Sequence, residues 1–270
     1  MPEMPEVETI RRDLCAPLLG RTIERVTFLW PRTAANMPSE EMAARLQGRK
    51  VVALRRRGKY LIIDLDPACH LIIHLRMTGR LHLYPGRTPA QKHTRVITEL
   101  DNGAELHFWD QRKFGRFYCV EDENEVVGKL GPEPLADDWT VEAFKEALNK
   151  RRAPIKSLLL NQQIVAGIGN IYADEALFFA GIHPLRPGNS LNDDEVWHLH
   201  QAIRYVLREA LKAQGSTFST YRRPGEETGA YQLQHQVFRR TGKPCPVCRT
   251  PIERIKVGGR STHFCPRCQV

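Results

Sequence analysis

Hydrophobic and polar positions in the first half of the chain change from a helical to a strand-like period. Val7, Ile10 and Leu14 fall on one helical face and Pro5 suits a first turn, so the pattern predicts a short helix over 5–18. From about residue 22 to residue 120, apolar positions alternate with polar ones, as in half-buried strands. The predicted strands are 22–29, 51–54, 60–65, 71–75, 80–83, 95–100, 105–109 and 115–120. Short strands with brief connections predict an antiparallel sandwich or barrel, and Asp101-Asn-Gly is a hairpin signal.

Helical spacing returns after an acidic segment, 121–138, which Gly and Pro interrupt and which we interpret as a linker. The predicted helices are 141–150, 154–160, 170–180 and 193–213. Asn192 and Glu195 have capping-box spacing at the start of the last of them. Residues 215–230 are rich in Gly, Ser, Thr and Arg, which is typical of a substrate-covering loop and equally of a plain linker.

Four cysteines near the end of the chain have the spacing C-x2-C-x16-C-x2-C. They are Cys245, Cys248, Cys265 and Cys268. Two tight turns that each supply two thiolates match a tetrahedral structural zinc site, and the alternative is a metal-free pair of disulfides. Three further cysteines are scattered among apolar neighbours, at Cys15, Cys69 and Cys119. We interpret them as buried thiols in a reducing compartment.

The charge of the chain is concentrated beside these cysteines. The 270 residues carry a formal net charge of +9, and residues 239–270 hold eight Lys/Arg against one acid, Glu253. A cationic metal module favours a polyanionic partner such as nucleic acid. The length and a hydrophobic share of 41% suit two globular domains plus a small module. The sequence has no apolar run of membrane-spanning length and no signal peptide at its start.

The N-terminus offers candidate covalent chemistry. If Met1 is removed, Pro2 presents a secondary amine, which attacks electrophilic carbon and forms an iminium ion. Glu3 beside it is a candidate acid/base. The alternative is that Pro2 is an incidental N-terminal residue.

Further candidates lie at strand and helix ends. The basic run Arg55-Arg-Arg-Gly-Lys59 reads as a phosphate contact with one lysine at a reacting sugar, or as a solvated sheet edge. The segments 74–79 and 110–115 each combine a cation with a large apolar side chain, as needed to replace a flipped base, although core packing explains them too. Gly167-Ile-Gly169 opens a helix and suits either phosphate binding or ordinary capping.

Together these residues resemble the bacterial formamidopyrimidine-DNA glycosylase family. The resemblance spans the whole chain in order. It rests on Met-Pro-Glu-Met-Pro-Glu-Val-Glu-Thr at 1–9, Arg-Gly-Lys-Tyr at 57–60, His-Leu-Arg-Met at 74–77, Arg112 with Phe114, Ala-Gly-Ile-Gly-Asn-Ile-Tyr at 166–172 and Gly-Arg-Ser-Thr-His-Phe-Cys at 259–265.

The resemblance implies an α+β multidomain fold. Residues 1–131 are expected to form an antiparallel β-sandwich with an N-terminal helix, 132–230 a helix–two-turn–helix domain with a lesion-recognition loop at 215–230, and 231–270 a zinc-finger β-hairpin. The implied activity is base-excision repair: glycosylase removal of oxidised purines from double-stranded DNA, then AP-lyase cleavage. One structural zinc and no organic cofactor are expected, in a monomeric bacterial protein of the cytoplasm and nucleoid with no membrane partner.

The resemblance also implies residue roles. Pro2 is the nucleophile, Glu3 the acid/base, Lys59 a proton donor or phosphate ligand, and Arg260 a grip on the phosphates that supports δ-elimination. The residues expected to fill the vacated base position are Met77, Arg112 and Phe114. Expected backbone contacts are His93, Arg112, Arg151, Lys156 and Asn170.

The chain departs from the family pattern at a few positions. Met4 replaces a usual leucine, Gln111 a frequent Pro or Val, and Val-Phe-Arg-Arg-Thr-Gly at 237–242 the usual Val-Tyr-Gly-Arg pattern. The loop at 215–230 is also unusual, which bears on lesion preference. Two alternatives stay open: an endonuclease VIII-like enzyme that prefers oxidised pyrimidines, and a zinc-finger protein that binds damaged DNA without cutting it.

Overall fold

The computed structural model describes residues 1–216 and 230–270. The chain forms two compact units, Met1–Lys129 with Gln214–Ala230, and Leu130–Ala213 with Tyr231–Val270. Most of the loop predicted at 215–230 falls at 217–229, outside the described residues, so its role stays a prediction. The division into three domains at 131 and 230 also stays a prediction.

The first unit contains two four-stranded antiparallel sheets. One sheet has the order β1-β6-β7-β5, with β1 at Ile23–Phe28, β5 at Arg80–Tyr84, β6 at Thr94–Leu100 and β7 at Glu105–Trp109. The other has the order β2-β3-β4-β8, with β2 at Lys50–Arg57, β3 at Tyr60–Asp66, β4 at Cys69–His74 and β8 at Arg116–Val120. The eight predicted strands and the β6–β7 hairpin at Asp101-Asn-Gly are thus confirmed.

Helix α1, Met4–Leu18, supplies one wall of the core of this unit. Its Val7, Ile10 and Leu14 are fully buried, and they join the cluster that contains Phe108 and Phe117 from the two sheets. The apolar face of the helix and the apolar faces of the two sheets therefore pack together in one hydrophobic core. Two short helices were not predicted, α2 at Ser39–Leu46 and α3 at Asn124–Val127, the latter inside the segment interpreted as a linker.

Two of the scattered cysteines lie in this core. Cys69 and Cys119 are buried on neighbouring strands β4 and β8, and their sulfur atoms are 3.1 Å apart. Cys15 on α1 is only partly buried. The prediction of buried thiols is therefore confirmed for the first two and holds in part for the third.

The second unit is helical and ends in a two-stranded hairpin. Its helices are α4 at Val141–Asn149, α5 at Ile155–Leu160, α6 at Asn170–Phe179 and α7 at Asp193–Lys212, and the hairpin strands are β9 at Glu253–Val257 and β10 at Arg260–Phe264. The predicted capping box is present, because Asn192 accepts the Glu195 N–H while the Glu195 carboxylate accepts the Asn192 N–H. Among the described residues, no helix is both long and apolar enough to span a bilayer.

Candidate active site and nucleic-acid interface

The chain start is held in place by the first turn of α1. Pro2 is buried, and Glu3 is the N-cap residue of the helix. The Glu3 N–H donates to the Glu6 carboxylate at 2.8 Å, and the Glu3 carboxylate accepts the Glu6 N–H, which completes a capping box. Both glutamates are 2% exposed. These hydrogen bonds therefore fix the backbone of the residue next to Pro2, and they place a buried carboxylate one residue away from it.

Glu6 also holds the backbone at Gly215 and Ser216. Its second carboxylate oxygen accepts the Ser216 N–H at 2.8 Å. Gly215 lies against it with φ of +83°, and a Cβ there would stand 2.8 Å from the Glu6 oxygen. One buried carboxylate thus binds the N–H groups of both Glu3, the residue after Pro2, and Ser216. From the sequence, Glu6 is expected only to suit the positive N-terminal end of the helix; its hydrogen bonds were not predicted, although its position three residues after Glu3 is the capping-box signal.

Lys59 lies in the tight turn between β2 and β3 and is 7% exposed. Gly58 makes the turn with φ of +55°, a left-handed conformation that favours glycine. Arg56 joins the turn to α1, because its guanidinium donates to the Gly58 carbonyl at 3.1 Å and to the Glu8 carboxylate at 3.3 Å. Helix α1 and the Lys59 turn are therefore fixed relative to each other.

The rest of the basic run is engaged within the unit. The Arg55 guanidinium forms ion pairs with Asp64 and Glu123, and these carboxylates raise the pKa of Arg55 above its usual value. Arg55 and Arg56 thus have internal partners, which differs from the phosphate-contact interpretation of the run. The solvated-edge alternative fits Arg55 better, since its side chain is 44% exposed.

Met77, Arg112 and Phe114 come together although 35 residues separate the first two. The Arg112 guanidinium donates to the Met77 sulfur at 3.0 Å and lies 4.7 Å from the centre of the Phe114 ring. Phe114 is 44% exposed, which is unusual for a large apolar side chain held in a fixed cluster. The structure therefore gathers the three predicted void-filling side chains on one surface rather than in the core.

Asp110 organises the loop that carries two of these side chains. It is 1% exposed, and its carboxylate accepts the Thr78 hydroxyl, the Arg112 N–H at 3.2 Å and the Gly115 N–H at 2.8 Å. His93 adjoins the same loop, since its carbonyl accepts the Asp110 N–H at 2.9 Å. Sequence reasoning missed the positioning role of Asp110.

His74 precedes the Met77 loop and is buried in a neutral form. Its Nδ1 accepts the Arg76 N–H at 2.9 Å, and its ring packs on Tyr60 at 4.6 Å between centroids. Burial, and then the charges of Arg76 and Lys59, lower the pKa of His74 to about 3. His74 is therefore a packing residue at neutral pH rather than a cation for phosphate.

In the second unit, Asn170 and Arg260 line one cavity of about 400 Å³. Asn170 begins α6, and its side-chain amide donates to the Ser261 carbonyl at 2.9 Å. Its side-chain oxygen is buried and has no hydrogen-bond partner among the described residues. Arg260 is exposed and follows the Gly258–Gly259 turn. These residues lie on two different elements, and the cavity joins them.

A side chain fixes the turns that lead into α6. Gln162 donates to the carbonyls of Leu160 at 3.0 Å and Ile168 at 2.9 Å, and its carbonyl oxygen accepts the Gly167 N–H at 3.0 Å. Gly167 has φ of +87°, which only glycine adopts without strain. The two turns between α5 and α6 are therefore rigid, and they set the position of Asn170.

Lys156 does not lie where an exposed phosphate contact is expected. Its side chain is 0% exposed, and its ammonium group binds Asp174 at 2.5 Å and the Ser261 carbonyl at 3.1 Å. Asp174 in turn accepts the His263 N–H and contacts its Nδ1, both at 3.0 Å. The structure corrects the prediction: Lys156 positions the hairpin from inside the unit. Arg151, by contrast, is exposed after α4, where its guanidinium donates to the Ala147 carbonyl.

The four terminal cysteines form one cluster with every pair of sulfur atoms within 4.8 Å. The distances are 3.9 Å between Cys245 and Cys268 and 3.4 Å between Cys248 and Cys265. Zinc–thiolate bonds of about 2.3 Å in a tetrahedron imply sulfur separations of roughly 3.8 Å, so the cluster fits the ion. Four protein ligands leave no open position, and the zinc is structural.

One class of zinc-containing DNA-repair enzymes combines these features: two antiparallel sheets, two turns before a helix such as α6, and a four-cysteine hairpin. Family profiles match the N-terminal domain of formamidopyrimidine-DNA glycosylase over residues 1–117, its H2TH domain over 130–222, and a zinc finger found in FPG and IleRS over 242–270. The chain belongs to the formamidopyrimidine-DNA glycosylase family.

Relatives and solved structures agree along the whole chain. A formamidopyrimidine-DNA glycosylase from Chloroflexus aurantiacus is 48% identical, covering 100% of this chain and 98% of its own. The MutM (Fpg) crystal structure from Thermus thermophilus matches with a TM-score of 0.91 at 43% identity, covering 99% of this chain and 98% of its own. Lactococcus lactis Fpg bound to abasic-site DNA matches with a TM-score of 0.93 at 38% identity, covering 99% of each chain.

Proposed function

We propose that this chain is a bifunctional DNA glycosylase and AP lyase of base-excision repair. It removes oxidised purines, namely 8-oxoguanine and formamidopyrimidines, from duplex DNA and nicks the strand by β,δ-elimination. The observation that carries the proposal is the N-terminus, where Pro2 precedes a helix whose first turn fixes and buries Glu3. Solved complexes of a family member with abasic-site and Fapy-dG DNA support the substrate class.

The first chemical steps use the amine of Pro2 after loss of Met1. An α-amine has a pKa of about 7.7–8.0, so a fraction is neutral at pH 7 and can attack C1′ of the damaged nucleoside. The base departs with the electrons of its glycosidic bond and takes up a proton. The Pro2 nitrogen then loses its N–H proton, and the lone pair so formed expels the ring oxygen, which Glu3 protonates, so that an iminium ion forms.

Strand cleavage follows from the iminium ion, because it acidifies the protons on C2′. Loss of one such proton expels the 3′-phosphate, and loss of a proton from C4′ of the resulting unsaturated iminium ion then expels the 5′-phosphate. Lys59 serves as a proton donor or phosphate ligand, and Arg260 holds the flanking phosphates. Water then hydrolyses the remaining imine and releases the amine of Pro2.

DNA binding uses the surfaces described above. The Met77–Arg112–Phe114 cluster fills the space that the flipped base leaves, because it combines a cation with two apolar groups at an exposed position. Asn170, Arg151 and His93 contact the DNA backbone. We further propose that the protein acts as a monomer in the bacterial cytoplasm, on the nucleoid.

Borohydride trapping on DNA that contains 8-oxoguanine tests the nucleophile. The processed chain should form a covalent adduct, whereas Pro2→Gly and a chain that retains Met1 should form little or none. Binding of all three proteins to a non-cleavable abasic-site analogue controls for folding. Normal cleavage by a chain shown by intact mass to retain Met1 contradicts the proposal.

A lesion panel separates the proposal from its alternatives. The proposed enzyme should excise 8-oxoguanine and formamidopyrimidines faster than oxidised pyrimidines. Faster excision of oxidised pyrimidines supports the endonuclease VIII-like alternative. Tight, salt-dependent binding without turnover on any lesion supports a non-cutting binding protein instead.

A further inference from the structure

The cavity that holds Asn170 and Arg260 is lined by two more arginines, which the proposed function leaves without a role. We propose that one of them, Arg239, binds a DNA phosphate beside the phosphate that Arg260 holds, so that the cavity grips two phosphates of one strand. The inference rests on the proposed function and adds a substrate contact to it. The full lining is Asn170, Phe238, Arg239, Arg254, Gly259, Arg260, Ser261 and His263.

The backbone of Arg239 is strained. Its φ is +59°, a left-handed conformation that costs a residue other than glycine about 1 kcal/mol or more. Strain of this kind persists only where the surroundings enforce it, and it concentrates at functional positions. An arginine here, in place of the glycine that fits this conformation, places a charged side chain at the cavity.

Glu175 is the residue that enforces this conformation. It lies on α6, is 0% exposed, and its carboxylate accepts the N–H groups of Gln236 at 2.8 Å, Val237 at 3.1 Å and Phe238 at 2.8 Å. Three hydrogen bonds to consecutive residues lock the turn immediately before Arg239. The same helix carries Asn170 at its start, so both sides of the cavity are built on α6.

The side chain of Arg239 has an apolar support. Its guanidinium carbon lies 5.9 Å from the centre of the Phe238 ring, within cation–π range. Phe238 is 8% exposed and packs on His263 at 5.1 Å between centroids. A supported guanidinium loses less conformational freedom when it binds an anion, which favours a bidentate phosphate contact.

The electrostatic surroundings of the cavity are positive. Burial, and then the nearby charges of Arg239 and Arg240, lower the pKa of His235 to about 4. The cavity wall adds Arg254 and Arg260. A cavity of about 400 Å³ exceeds the space that one phosphate needs, and a DNA strand supplies successive phosphates to such a surface.

The test is the salt dependence of binding to duplex DNA with a tetrahydrofuran abasic-site analogue. Arg239→Gly removes the side chain and suits the left-handed backbone. Its matched control is Arg249→Gly, because Arg249 is also an exposed arginine of this unit, has φ of +68°, and does not line the cavity. Zinc content measured on both variants verifies that each hairpin is intact.

Arg239→Gly should weaken binding about fivefold to tenfold and should lower the slope of log affinity against log salt by about one, equally on damaged and undamaged DNA. Arg249→Gly should change the slope much less, and Arg239→Lys should restore most of it. If Arg239→Gly and Arg249→Gly have the same slope, the inference is wrong. In that case the parent chain still forms the borohydride adduct, whereas failure of the proposed function removes the adduct from the parent chain itself.

Discussion

Replacing Asp174 by leucine should strongly destabilise the helical unit, because it removes the carboxylate that pairs with the buried ammonium of Lys156. Lys156 and Asp174 are both 0% exposed and 2.5 Å apart. Removing one partner of a buried ion pair costs about 3–5 kcal/mol. In Asp174→Leu the ammonium of Lys156 loses its carboxylate partner, and the His263 N–H loses its acceptor, so we expect a loss of stability near the upper end of that range.

Lys156→Met should lower the stability of the unit by a smaller amount, about 3 kcal/mol, because Asp174 keeps both contacts to His263. The double variant, Lys156→Met with Asp174→Leu, buries no unpaired charge and should be more stable than Asp174→Leu alone. This double-mutant cycle separates the ion pair from its packing.

Hydrogen exchange of the amides at 260–264 is the assay, because it reports opening of the hairpin strand without assuming that the two units unfold together. Urea unfolding of the full chain, followed by tryptophan fluorescence, supplements it. Two results would show that the buried pair does not hold the hairpin. One is a free energy of opening for Asp174→Leu within about 1 kcal/mol of the parent value. The other is a double variant that is less stable than Asp174→Leu.

Three further predictions concern pH, packing and zinc. The pKa of His74 is lowered to about 3 in the folded protein, so His74 contributes stability that is fully present above about pH 6.5 and is lost as the pH falls. The loss in the free energy of unfolding should reach about 2 kcal/mol by pH 5. His74→Asn should make stability less dependent on pH in this range, as measured by urea titrations. Gly115→Ala should lower the free energy of unfolding by about 1–3 kcal/mol and displace Phe114, because the new Cβ would stand 2.2 Å from the Phe108 ring. Thermal melts measure this loss. The control is Gly86→Ala, which has open space around the new Cβ and should not change stability. Cys248→Ser should release the zinc and abolish binding to lesion DNA in a metal assay paired with fluorescence anisotropy, and retained zinc at one equivalent contradicts this prediction.

The sequence predicted the elements whose periodicity is strong. All eight predicted strands and all five predicted helices lie within a few residues of their predicted bounds, because alternation and helical spacing are properties of the chain itself. Helix α2 was missed even though Met42 and Leu46 have helical spacing and are fully buried. These two are the only buried apolar side chains of the helix, so its period does not stand out from the sequence.

The site was predictable as a set of residues but not as a geometry. Motifs brought out Pro2, Lys59, Arg112 and the four cysteines, whereas positioning residues such as Asp110 in the Arg112 loop and Glu175 before Arg239 carry no local signal. Their partners lie on other elements, so only the tertiary fold reveals them. Lys156 illustrates the reverse case, since a basic residue near a DNA-binding motif proves to be a buried structural cation.

The identity of the atom bonded to DNA tests the central claim most directly. The protein is reduced with borohydride on abasic-site DNA, digested with nuclease and protease, and sequenced by tandem mass spectrometry. The account predicts that the sugar remnant is attached to the nitrogen of Pro2 in a peptide that lacks Met1. A remnant attached to Lys59, or to any other lysine, contradicts it.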